Sequence, residues 1–145
     1  MEQRVSGLRS LLIGLIAIGG VVRVWHSHER AVSARELTAI ADRNGFVPVQ
    51  MPDGAARDTV LILAPLNCPS AGAKRADALA ARLTALGIPN MRSNQYAISA
   101  PTRDMQSGVQ HAAVVMNGEI PAVMINGRGK ANPTADEVAT EFRHD

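Results

Sequence analysis

The sequence predicts an α/β fold, a central mixed sheet in three α/β/α layers, preceded by a hydrophobic N-terminal helix. Three observations predict it. Val60-Leu61-Ile62-Leu63-Ala64 is a short, unbroken apolar run, the pattern of a strand covered on both faces rather than one. A helical pattern from Pro69 to Leu86 follows it after a short loop, which is how a βα unit opens. Near the C-terminus, Asn126-Gly127 separates two further short strands and is a strong hairpin signal, because both residues tolerate positive φ. A chain of 145 residues has room for one domain with its own core and an appendage. We place the domain at 31–145 and the appendage at 1–30.

The elements follow in order. Ser33-Ala34-Arg35-Glu36 reads as a capping box opening a helix over Ala34 to Asn44, with Leu37, Ile40 and Ala41 on one face and Gly45 as its stop. Phe46-Val47-Pro48-Val49 reads as extended, and Pro48, which has no N–H for a ladder, assigns it to a sheet edge. Met51-Pro52-Asp53-Gly54 is a turn, and Val60 to Ala64 is the central strand. In the helix that follows, Ala76, Leu79, Ala80 and Leu83 share a face and Gly87 ends it. Ile88 to Ile98 holds one or two short strands, interrupted by Pro89, Asn90, Asn94 and Gln95. Thr102 to Asn117 returns to helical spacing through Met105, Val109, Ala112 and Met116, stopped by Gly118. Ile120 to Ile125 and Arg128 to Ala131 form the hairpin. Thr134-Ala135-Asp136-Glu137 caps a terminal helix with Val138 and Phe142 inward. From Asp58 the order is β, α, β, α, β, β, α.

The appendage contains Leu11 to Val22, which is uncharged throughout, with Arg4 and Arg9 before it and Arg23, Val24 and Trp25 after it. As one helix, Leu8 to Trp25 would span ~27 Å, enough for a thin bilayer core with the arginines reaching the interfaces. We expect a retained single-pass membrane anchor in the lipid bilayer, with the N-terminus inside and the domain on the periplasmic or extracytoplasmic side. A cleaved secretory signal ending near Val32-Ser33-Ala34 and a buried helix of a soluble protein are the other two readings of the same residues.

Composition narrows the function. Arginines are scattered, the net charge is only +2, and aromatics are 3%, so neither a basic block nor a stacking platform for bases is present and no nucleic-acid partner is expected. One cysteine, Cys68, excludes an internal disulfide and any site that needs several thiolates. His26-Ser27-His28 stands beside the apolar run without a carboxylate cluster to complete a metal site, so no metal is expected. No phosphate loop or nucleophile elbow is present.

Cys68-Pro69 at the strand-to-helix junction, Ile120-Pro121 opening the hairpin sequence PAVMING, and the element order together resemble the thioredoxin and glutaredoxin superfamily, over residues from about 58 to 143. The resemblance implies a thioredoxin-like fold. It implies that Cys68 matches the nucleophilic cysteine and Pro121 the cis-proline that lies against the sulfur and presents backbone to a bound peptide or glutathione. Pro69, Ile120 and Pro121 are then substrate-binding residues. The chain departs from the pattern at Ala71, where a resolving cysteine would stand, which leaves Cys-Pro-Ser-Ala and rules out a dithiol cycle within one chain. The Gly-Gly pair of glutaredoxins is replaced by Gly127-Arg128-Gly129.

Cys68 is also a candidate on physical grounds. A sulfur near the first turn of a helix faces unpaired N–H groups and the positive end of the helix dipole, and both favour thiolate. Pro69 suits the first helical position, and Lys74 and Arg75 follow within two turns. The alternative is a small buried hydrophobe whose pKa rises under Leu66 and the helix. The leading expectation is a membrane-tethered monothiol protein that forms mixed disulfides with a protein or low-molecular-weight thiol through Cys68. No cofactor is expected, and glutathione is the small thiol that the resemblance offers. A non-catalytic binding or assembly module, holding a partner segment beside Pro121, is the alternative.

Overall fold

The computed structural model describes residues 35–144. The candidate anchor Leu8 to Trp25, His26, His28 and the Val32-Ser33-Ala34 site lie outside them. The chain divides after Glu36, and the unit that starts at Leu37 carries the whole sheet. Among the described residues no helix is long and apolar enough to cross a membrane.

The fold is α/β, with a five-stranded mixed sheet. A helical segment α1 (residues 35–40) leads into β1 (Val47–Pro48) and β2 (Val60–Leu63), then α2 (Ala71–Ala85) and β3 (Asn90–Ser93). A 3₁₀ turn at Arg103–Met105 precedes α3 (Gln106–Met116), β4 (Ala122–Ile125), β5 (Arg128–Ala131) and α4 (Ala135–His144). The strands lie in the order β1-β5-β4-β2-β3. β2 pairs parallel with β3, with Val60 opposite Asn90, and antiparallel with β4, with Leu63 opposite Ala122. β4 and β5 form an antiparallel hairpin, and the two-residue β1 pairs antiparallel with β5 at the edge. The order from Asp58 is the one expected, and Pro48 sits on the edge strand.

The unbroken apolar runs explain the layering. Along β2, Val60 and Ile62 face one way and Leu61 and Leu63 the other; along β4, Val123 and Ile125 oppose Ala122 and Met124. The first face packs under α2 and α4 through Ala76, Leu79, Leu83, Val138 and Ala139, with Phe46 completing the cluster. The second packs under α3 through Ala112 and Val115, joined by Val47 and Val49. Both faces of β2 and β4 are thereby buried, which is why neither strand alternates with polar residues.

Turn chemistry fixes the boundaries. Asn126 and Gly127 have φ of 41° and 85°, the pair of positive values that a primed hairpin turn requires. At the end of α2, Gly87 (φ 72°) donates its N–H to the Thr84 carbonyl and Ile88 donates to Leu83, a Schellman stop. At the start of α4, the Thr134 N–H donates to Glu137 Oε2 at 2.8 Å and the Glu137 N–H to Thr134 Oγ1 at 3.3 Å, the expected capping box.

Several boundaries differ from expectation: the helix expected from Thr102 is α-helical only from Gln106, the strand expected from Ile120 starts at Ala122, and two further shifts have a visible cause. The first helix is helical only to residue 40 rather than Asn44, because Asp42 Oδ1 takes the N–H groups of Asn44 (2.8 Å) and Phe46 (2.9 Å) and folds the chain into a side-chain-closed turn. The long helix begins at Ala71, not Pro69. Ser70, extended at φ −61° and ψ 152°, is its cap and accepts the Ala73 N–H, so Pro69 stands one residue before the cap.

Candidate functional site

The sheet register brings the two motifs that flank Cys68 and Pro121 to one end of the sheet. β2 ends at Leu63, opposite Ala122 at the start of β4, so the loop carrying Cys68 leaves the sheet where Pro121 enters it. The Ile120-Pro121 bond is cis, as expected. Pro121 itself is fully buried, Ile120 is half-buried, and Pro69 is exposed.

The loop from Pro65 to Pro69 is held at its start. The Ala64 N–H donates to the Ser93 carbonyl at 3.0 Å, and Arg92 Nη2 of β3 donates to the Pro65 carbonyl at 3.1 Å. Arg92 also pairs with Asp77 of α2. Asn67 turns the chain in the left-handed region at φ 52°, a conformation that asparagine adopts more readily than other side chains. The next residue is Cys68, which is half-buried, while Leu66 is 43% exposed.

Ser70 sets the electrostatics. Its hydroxyl oxygen accepts the Ala73 N–H at 3.2 Å, which leaves its O–H free to donate. That hydroxyl and, after it, the Ser70 backbone N–H hold the Cys68 thiol below its ordinary pKa, against a smaller opposing effect of burial. One residue thus caps α2 and favours the ionised form of the neighbouring thiol, a shift opposite in sign to the one expected of a sulfur in apolar surroundings.

Across from this loop, α2 rides directly on Ile120. A Cβ placed on Gly72 would come within 2.9 Å of Ile120 Cβ, so only glycine allows the first turn to lie this close. Arg75, one turn further, donates from Nε (3.1 Å) and Nη2 (2.8 Å) to the Ile120 carbonyl and pairs with Glu119 at 3.0 Å. The sequence suggested only that Arg75 adds positive potential; in the structure its guanidinium occupies the backbone acceptor that precedes Pro121. The Pro121 carbonyl is likewise taken, by the Asn132 N–H at 2.6 Å.

The capping by Ser70 and the grip of Arg75 on the Ile120 carbonyl are the features that sequence reasoning missed. Ser70 carried a legible signal, since serine leads the N-cap preferences. Arg75 carried none, because its partner lies 45 residues away. His111 of α3 is half-buried and meets the Pro48 carbonyl through Nδ1 at 2.8 Å. Among the described residues no group of three or more His, Cys, Asp or Glu side chains is placed to hold a metal ion. A hollow of about 610 Å³ lined by Arg57, Asp58, Asn126 and Gly127 opens at the far end of the sheet, beside the start of β2, and is no part of the Cys68 site. Comparison of the chain with known protein families, curated proteins and solved structures finds no match in any of the three.

Proposed function

We propose that the chain is a thioredoxin-like monothiol protein, tethered to a membrane through Leu8 to Trp25 with its folded unit on the extracytoplasmic side, and that Cys68 forms mixed disulfides with a protein or low-molecular-weight thiol. The observation that carries the proposal is the place of Cys68, a partly exposed free cysteine two residues before the N-cap of α2, with its thiol pKa lowered by the Ser70 hydroxyl and then the Ser70 N–H. Further support comes from the β, α, β, α, β, β, α order from Val60 onward and from a cis proline at the sheet end where the cysteine loop leaves.

The chemistry needs one thiolate and an outside disulfide. The Cys68 thiolate attacks one sulfur of a substrate disulfide; an Sγ–S bond forms, the substrate S–S bond breaks, and the other half leaves as a thiolate. Cys68 is then oxidised and the departing thiol reduced. Because Ala71 stands where a second cysteine would, a thiol from another molecule must attack the mixed disulfide and return Cys68 as thiolate. Ser70 lowers the proton affinity of the attacking sulfur and of the same sulfur when it leaves. A partner segment pairing beside Pro121, the other expectation from the sequence, would meet an Ile120 carbonyl that already accepts from Arg75, so the thiol is the reading carried forward.

Incubation of the full chain with glutathione disulfide, followed by intact mass measurement, tests the proposal. A single glutathione adduct should form on the native protein and be absent from Cys68→Ser at unchanged secondary structure. An adduct that forms only after unfolding in urea would contradict it.

A further inference from the structure

A second cluster of ionisable groups lies away from Cys68, where the turn after α1 meets β5 and α4. Glu141 of α4 is 4% exposed, the only charged residue among the buried described residues. Its Oε1 pairs with Arg128 Nε of β5 at 2.6 Å, and its Oε2 accepts from Asn44 Nδ2 at 3.2 Å. The other arm of the same guanidinium, Nη2, pairs with Asp42 Oδ2 at 2.6 Å and donates to the Phe46 carbonyl at 3.1 Å. Asp42 and Glu141, 99 positions apart in sequence, thus meet on the same guanidinium.

Charge counting decides the protonation. Two carboxylates against one guanidinium leave one negative charge uncompensated in a largely desolvated junction. The neighbouring Lys130 does not supply the missing cation. Its ammonium donates to the Asn44 carbonyl at 2.6 Å and pairs with Glu137 at 2.8 Å, which neutralises it. Arg43 and His144 complete the rim of the shallow depression over the cluster, but both are exposed and their fields reach Glu141 screened by water.

We propose that Asp42 and Glu141 share one proton around Arg128, so that the junction between residues 42–46 and α4 is a pH-sensitive latch, shut while the proton is held and loosened as rising pH removes it. Asp42 is the member that stays ionised, because its Oδ1 already accepts the Asn44 and Phe46 N–H groups. Glu141 is the member that keeps the proton. The directions agree: burial first, then the facing Asp42, raise Glu141, while for Asp42 the hydrogen bonds from Phe46, Arg128 and Asn44 outweigh burial and lower it.

The sign comes from linkage. A group with a raised folded pKa contributes stability that is complete below its unfolded pKa and lost as pH rises through the folded value. Between those two values the folding constant of the full chain should fall by up to about tenfold per pH unit as pH rises. Glu141→Gln, which keeps the shape and the Asn44 contact, should abolish that slope, whereas Glu137→Gln should leave it. Hydrogen exchange in residues 141–144, corrected for its intrinsic pH dependence, should accelerate through the same window. A carbon-13 titration of the Glu141 carboxyl in the native full chain reads the proton directly even if a variant fails to fold. A midpoint at or below that of the urea-unfolded chain, an unchanged slope in Glu141→Gln, or exchange that does not respond to pH would each overturn the latch.

Discussion

Ser70→Ala should separate the two tasks that one hydroxyl performs. Ser70 Oγ accepts the Ala73 N–H at 3.2 Å at a helix whose first turn holds no acidic residue and whose Lys74 and Arg75 oppose the dipole. Without the cap an N–H of the first turn loses its side-chain acceptor, which costs about 1 kcal/mol, within a range of about 0.5–2. For a folded unit of this size that corresponds to a Tm lowered by roughly 4–8 °C, or a urea midpoint lowered by roughly 0.3–1 M at constant slope. The same substitution removes the first of the two hydrogen bonds that hold the Cys68 thiol down, so its pKa should move back up while the Ser70-position N–H retains part of the effect. Ser70→Asp divides the two tasks. Aspartate is an equally good cap and favours the helix N-terminus, so stability should return, but it offers no donor and sets a negative charge beside the sulfur, so the thiol pKa should stay high. Urea unfolding and pH-dependent alkylation of the full chain read the two effects. An aspartate variant that restores both stability and thiol reactivity would refute the reasoning, as would an alanine variant that changes neither.

Asn67→Val should destabilise by about 1–2 kcal/mol, because a β-branched side chain is forced into the left-handed region at φ 52°, whereas Asn67→Gly should be tolerated; urea midpoints check both. On the acid side, Asp42 and Glu137 sit below the ordinary carboxylate range. In each case burial acts upward and is outweighed, by the Phe46 N–H and Arg128 for Asp42 and by Lys130 and the Thr134 N–H for Glu137. Their contributions are complete above the unfolded pKa and are lost as pH falls through the depressed folded values, so thermal unfolding scans should show Tm falling on acidification, with a smaller fall in Glu137→Gln.

The features legible in the sequence were those with a local physical cause. The uniform apolarity of Val60 to Leu63 named a strand buried on both faces, Asn126-Gly127 named the hairpin, and Thr134 with Glu137 named a helix start, each from residues within a few positions of one another. The strand at Asn90 to Ser93 had no such signal. It lies at the sheet edge with Met91 47% exposed, so no burial pattern marks it. The start of α2 was ambiguous because Pro69 and Ser70 are both good helix-start residues, and the choice between them is decided by the Ala73 N–H in three dimensions. Arg75 on the Ile120 carbonyl and the Asp42–Arg128–Glu141 junction join positions 13 to 99 residues apart, and no local pattern announces them.

The central claim is that the loop after β2 makes Cys68 a thiolate-favouring site, and the rate of alkylation against pH tests it most directly. Cys68 is the only cysteine of the chain, so incorporation of iodoacetamide into the full-length protein reports one sulfur. The rate in the native state should rise with a midpoint below that of the same chain unfolded in urea. A native midpoint at or above the unfolded one, or labelling that begins only once the protein unfolds, would contradict the account.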